Sequence, residues 1–290
     1  MSELPDPRRI SCADATGTVY DHGAHVVDWI PTGRAPVLWL SPATALEAGE
    51  PIRGGVPICF PWFADGPSGD LEPRHGFARL LPWRVETLES SDHEAVVVHR
   101  LSDRDVTDPS HRELFPHPFE AQYEARFGAE LVLSLTVSNT GDEAFEYEEA
   151  LHAYLVVGDV RHVRVQGLDG ARYRDKVLGR DGDVQAGDVR FDGQVDRVYS
   201  STGEVSVVDE RLGRVLRIRK EGSGNTVVWN PGAEVAARTP DVGDGWTGFV
   251  CVEAANAADR SVRLEPGDSH RLVYRVAVEP TAQDTVEPPA

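Results

Sequence analysis

The sequence predicts an all-β protein made of packed antiparallel sheets, and three observations predict it. Apolar residues recur at period two in several short runs. The 27 Gly and 20 Pro of the 290 residues interrupt almost every stretch of about 10 to 15 residues, as a sheet-rich chain requires. Long helical periodicity is hard to find.

Along the chain, strands are expected first around Trp83–Val85 and Ala95–Val98. The clearest is Leu131–Val137, where Leu131, Leu133, Leu135 and Val137 share one face and Asn139-Thr140-Gly141-Asp142 supplies the turn. Val163–Val165 and Val205–Val208 follow, then a turn at Arg211–Arg214 that feeds Val215–Ile218. Val227–Trp229 comes next. Val262–Leu264, Pro266-Gly267-Asp268 and Leu272–Val278 read as a hairpin or two adjacent strands. No linker divides the chain, so residues 1–280 are expected to form one domain. Residues 281–290 have the composition of a fraying tail.

Composition narrows the functional classes. At 40% hydrophobic and 27% charged residues, the chain can bury a large core. It contains no apolar run of 18 residues, and residues 1–7 lack the basic and apolar regions of a secretory signal. A cytoplasmic location is therefore expected. A formal net charge of −19 argues against nucleic acid and anionic membranes as partners. If the substrate is itself an anion, positive charge must be concentrated locally. Cys12, Cys59 and Cys251 are too few and too scattered for a disulfide framework or zinc site, and are expected to be small buried residues. Glycine-rich nucleotide loops, H-E-x-x-H and G-x-S-x-G are all missing. The irregular spacing of the histidines in His111–His117, beside Pro116 and Pro118, suggests a loop and no metal. Catalysis, if present, would come from side chains alone, with no cofactor and no metal.

Five segments carry candidate chemistry. Arg53–Phe63 packs two glycines, two prolines and three aromatics behind one arginine, which suits either a sugar or phosphate site or a stiff surface loop. Pro73–Arg79 places Arg74 and Arg79 on either side of His75, a basic island in an acidic chain. Guanidinium groups bind phosphate through paired, charge-assisted hydrogen bonds, although each arginine could equally answer a carboxylate. His152 interrupts the apolar run Ala150–Val157 and shares a face with Ala150 and Tyr154. It is either a hydrogen-bonded core residue or a proton-transfer group suited to neutral pH. Glu253 ends the apolar run Phe249–Val252; ionised there it costs several kcal/mol unless paired, or else it reaches solvent at the strand end. Asp196, in Phe191–Tyr199, means little alone.

Together these segments resemble the hexose-6-phosphate mutarotase branch of the aldose 1-epimerase superfamily. The matching motifs are R-G-G-V-P-x-C-F-P-W-F (53–63), R-H-G-F-A-R (74–79), L-H-A-Y (151–154), D-R-V-Y (196–199), V-W-N-P (228–231) and V-C-V-E (250–253). They occur in family order over roughly residues 20–280. The resemblance implies a galactose-mutarotase-like β-supersandwich with the sugar on an open sheet face. It implies that His152 and Glu253 are catalytic, and that Arg53, Arg74 and Arg79 bind substrate, Arg53 and Arg79 foremost for phosphate. It further implies that Asp196 binds sugar hydroxyls and that His75 lies near the ring oxygen. The expected activity is cofactor-free interconversion of the anomers of a hexose 6-phosphate, glucose 6-phosphate first, by a monomer. Three other readings stand beside it: a non-catalytic carbohydrate-binding or sensing protein, a mutarotase of unphosphorylated aldoses, and a glycosidase using two carboxylates.

Overall fold

A computed structural model describes residues 2–281. The strands form two eight-stranded sheets with a three-stranded and a two-stranded sheet beside them, and all pairings are antiparallel. The back sheet runs Val163–Gln166, Val205–Asp209, Arg214–Glu221, Ser269–Pro280, Glu130–Asn139, Phe119–Phe127, Ala95–Ser102 and Arg84–Ser90 in spatial order. The front sheet runs Arg180–Val184, Arg172–Asp175, Val195–Ser200, Asn225–Asn230, Phe249–Asn256, Glu149–Leu151 and Ile58–Cys59, with Tyr154–Val156 also paired to Phe249–Asn256. Among the described residues helices are few and short, the α-helical ones being Pro109–Leu114 and Gly232–Ala236.

Period-two alternation builds the core between the sheets. From the back sheet come Leu131, Leu133, Leu135, Leu216, Ile218, Tyr274 and Val276; from the front sheet Leu151, Leu155, Val228, Val250, Val252 and Ala254 meet them. Each such side chain contributes about 1.5–3 kcal/mol of burial free energy. The opposite face of the front sheet carries Cys59, Ala150, Tyr154, Val227, Phe249, Cys251 and Ala255 in two smaller clusters. Loops cover that face too, so Phe249–Asn256 is buried at all eight positions.

Each predicted strand is present, with partners that local sequence did not reveal. Val262–Leu264 and Ser269–Pro280 do not form a hairpin: the first pairs with Phe145–Tyr147, the second lies between Glu130–Asn139 and Arg214–Glu221. Residues 109–114 form a turn of helix capped by Asp108 before the Pro116 and Pro118 loop. Cys59 and Cys251 are buried, whereas Cys12 is half-buried, its thiol facing the carbonyls of Ala15 and Phe127. The expected frayed tail falls almost wholly on residues 282–290, outside the described residues.

Candidate active site

Glu253 is not at a strand end. It sits inside Phe249–Asn256, on the loop-covered face of the front sheet, with 0% exposure. Neither carboxyl oxygen has a hydrogen-bond partner among the described residues. His152 Nε2 lies 3.3 Å from its Oε1. His152 occupies the two-residue break between Glu149–Leu151 and Tyr154–Val156, both of which pair with Glu253's own strand. That break turns the imidazole onto the face where Glu253 and Tyr154 lie. Burial, with the Asp196 charge adding to it, pushes the Glu253 carboxyl well above the usual carboxylate range. Burial, reinforced by Arg79 and Arg53, pulls His152 down to about 3.

Two loops form the walls. Phe60 anchors the first, meeting Phe77, Phe119 and Tyr147 edge-on at 6.4, 5.1 and 5.4 Å. Trp62 Nε1 donates to the Pro73 carbonyl at 2.9 Å and so fastens the first loop to the second. Glu148 accepts the Phe63 N–H at 3.0 Å. His75 lies in the left-handed region at φ 65°, and the backbone N–H of Ala64 donates to its Nδ1 at 3.1 Å. Burial and Arg79 hold its pKa well below the ordinary value. A neutral ring whose Nδ1 accepts must carry its hydrogen on Nε2, so His75 presents a donor. The neighbouring Gly76 has φ 73°, and a Cβ there would lie 2.1 Å from the Phe60 carbonyl oxygen. Gly76→Ala is therefore expected to destabilise the fold by about 2–4 kcal/mol. Chemical denaturation should register this as a lower midpoint with an unchanged slope.

The three arginines differ in how they are held. Arg53 Nε meets Asp241 at 2.8 Å and its Nη1 donates to the Tyr154 hydroxyl at 3.1 Å. Arg74 Nη1 contacts both oxygens of Asp65, at 2.6 and 2.8 Å. Arg79 donates to the Arg74 carbonyl at 2.6 Å, but no carboxylate among the described residues pairs with it and its Nε is unsatisfied. Burial lowers its pKa, the consequence of partly desolvating a guanidinium without a counter-ion. Asp196 is half-buried, and burial raises its pKa against the opposing influence of Lys176 and Arg74.

All seven residues singled out from sequence — Arg53, Arg74, His75, Arg79, His152, Asp196 and Glu253 — line one cavity of about 230 Å³. Tyr154, Lys176, Trp229, Phe63 and Thr239 line it as well. Sequence reasoning gave these no role. Tyr154 was within reach, two residues from His152 on the same face. Lys176 and Asp241 stand in loops where no periodicity points to them. A more open depression of about 480 Å³, bounded by Arg104, Arg112, Phe115 and His117 among others, holds none of the seven. Four cations thus gather in one cavity of a chain whose net charge is −19. An acid–base pair sits with them, an arrangement able to hold an anionic hydroxylated ligand and move a proton on it.

The sequence profile of the aldose 1-epimerase family matches residues 10–277. A protein of Escherichia coli (strain K12), provisionally named glucose-6-phosphate 1-epimerase, is 37% identical over 240 residues, which are 82% of this chain and 78% of that protein. One from Salmonella typhimurium with the same provisional name is 37% identical over 259 residues, 88% of this chain and 84% of its own. Among solved structures, a provisionally named mutarotase from Salmonella typhimurium superposes with a TM-score of 0.85 and 31% identity, covering 96% of this chain and 92% of that one. A galactose mutarotase-like protein from Lactobacillus casei gives a TM-score of 0.72 at 15% identity, over 94% of this chain and 100% of that one, a likeness of fold.

Proposed function

The chain belongs to the aldose 1-epimerase family and is an isomerase of sugar anomers, and from that premise we propose that its substrate is a hexose 6-phosphate, with glucose 6-phosphate the first to test. The observation that carries the phosphate is Arg79, a half-buried guanidinium in the cavity whose Nε is unsatisfied and which has no carboxylate partner among the described residues. An incoming phosphoryl group supplies the missing anion and accepts paired hydrogen bonds. Arg53, pre-aimed by Asp241 and Tyr154, stands beside it in the same lining.

In the proposed chemistry, the Glu253 carboxylate takes the proton from the anomeric hydroxyl. The bond between C1 and the ring oxygen breaks, its electron pair goes to that oxygen, and His152 protonates it. The free aldehyde rotates about C1–C2, and closure on either carbonyl face returns both protons. His75 Nε2–H is available to the ring oxygen, and Asp196 to the sugar hydroxyls. Burial favours protonated Glu253 beside neutral His152. The working ion pair holds the same single proton on the other partner, 3.3 Å away. A bound phosphate offsets the arginine charges that depress His152 and so favours that second arrangement.

This gives a pH signature. Two tautomers with equal proton number keep a constant ratio as pH changes. Turnover is therefore expected to stay level through the neutral region and to fall only at acid pH, where His152, held well below its ordinary pKa by burial, takes a second proton onto the pair. KM, by contrast, should drop as pH rises through about 6, where the phosphate ester becomes a dianion. Steady-state profiles of kcat and KM check both limbs.

The test of the activity is magnetisation-exchange NMR between the α and β anomers of glucose 6-phosphate, with glucose and galactose run in parallel. Acceleration for the phosphate ester above the free sugars is the expected result. Acceleration of the free sugars alone would remove the phosphate from the reading, and none at all would favour a binding protein.

A further inference from the structure

His152 is not held in the way usual for an acid–base histidine. A working imidazole is commonly oriented by the hydrogen bond its second nitrogen makes. Here Nδ1 is buried and has no partner among the described residues. The ring plane must then be set by packing. Tyr154 lies face to face with it, centroids 4.9 Å apart and planes inclined by 13°. His75 and Trp229 close the edges at 5.5 and 6.0 Å. Tyr154 is itself fixed: it is 3% exposed, stacked on Trp39 at 5.9 Å and packed on Phe249 at 5.2 Å. Its hydroxyl accepts the Nη1–H of Arg53 at 3.1 Å. One side chain therefore touches both the imidazole and a guanidinium of the cavity lining.

We propose that Tyr154 is a positioning residue that couples these two groups of the site. Its ring sets the plane of His152, and its hydroxyl sets Arg53, so a phosphoryl group engaging Arg53 also steadies the acid–base pair. This rests on the hexose-phosphate reading of the arginines. Part of the phosphate's binding energy then appears in turnover and not in affinity alone.

Two substitutions separate the roles. Tyr154→Phe keeps the ring and deletes the hydroxyl. It is expected to raise KM for glucose 6-phosphate by about tenfold, the loss of one hydrogen bond to a charged group, and to lower kcat as well, by less than the loss of the ring does. Tyr154→Leu keeps apolar bulk but removes the stacked plane. It is expected to lower kcat by about 10²-fold, the scale of a small misplacement of a catalytic group. A second readout does not depend on turnover: the ¹⁵N resonances of the His152 ring, followed while inorganic phosphate is added to the full chain. Phosphate should move them in the wild type and far less in Tyr154→Phe.

Equal phosphate responses in wild type and Tyr154→Phe would overturn the coupling. So would kinetic losses of the same size and kind in the Phe and Leu variants, or none in either. A wild type inactive toward glucose 6-phosphate whose His152 signals still respond to phosphate through Tyr154 would refute the substrate while supporting the coupling.

Discussion

Glu253→Gln is expected to lower turnover in anomer exchange by about 10³-fold while leaving the fold intact, since a positioned acid or base contributes about 10²–10⁴-fold. Glutamine preserves the shape and deletes the proton acceptor. Neither carboxyl oxygen is hydrogen-bonded within the described residues, so the exchange disturbs only the 3.3 Å contact with His152, to which the amide still offers an oxygen. Stability should move the other way. The folded-state pKa of Glu253 is raised above its unfolded value, so its contribution is fully present below the unfolded pKa and is lost as pH rises toward the folded one. The glutamine variant avoids that loss. Its melting temperature should match the wild type near pH 4 and exceed it at neutral pH. Thermal unfolding at the two pH values, beside exchange NMR, reads both effects. A variant that kept most of its turnover would remove Glu253 from the chemistry.

Arg79→Met should cut the preference for glucose 6-phosphate over glucose, as a ratio of kcat/KM values, by about 10²–10³-fold, the worth of two charge-assisted hydrogen bonds. Arg74→Met should do less. The Arg74 side chain is roughly half-exposed and already engaged by Asp65, and such surface pairs contribute about 0–1 kcal/mol. The melting temperature gives an independent check on Arg79, because methionine removes a guanidinium that no carboxylate answers among the described residues. Its variant should be no less stable than wild type in the absence of ligand. An Arg74 effect as large as that of Arg79 would move the anion to the rim of the cavity.

Sequence alternation was enough to recognise Leu131–Val137 and Val215–Ile218 as strands, because each buries one face against a core. It could not choose their partners. Val262–Leu264 pairs with Phe145–Tyr147, and nothing in either tripeptide encodes that choice. His152 and Glu253 stood out because each breaks an apolar run. Their separation did not, since the loops that bury the outer face of the front sheet come from elsewhere in the chain. Neighbours in sequence were the easier case: Arg74 and Asp65 are nine residues apart, whereas Arg53 and Asp241 are separated by 188. Whether an arginine is answered by a carboxylate depends on such distant pairings. The freedom of Arg79 was accordingly invisible until the loops were in place.

The position of Ser269–Pro280 bears on how the protein is made. This strand lies in the middle of the back sheet, between Arg214–Glu221 and Glu130–Asn139. Until residue 280 has left the ribosome, those two strands wait as open edges, each with a row of unsatisfied backbone donors and acceptors. Assembly is therefore dominated by non-local pairings, the class that folds in milliseconds to seconds rather than microseconds. The nascent chain passes through a stage in which two half-sheets can recruit a stray strand from another molecule.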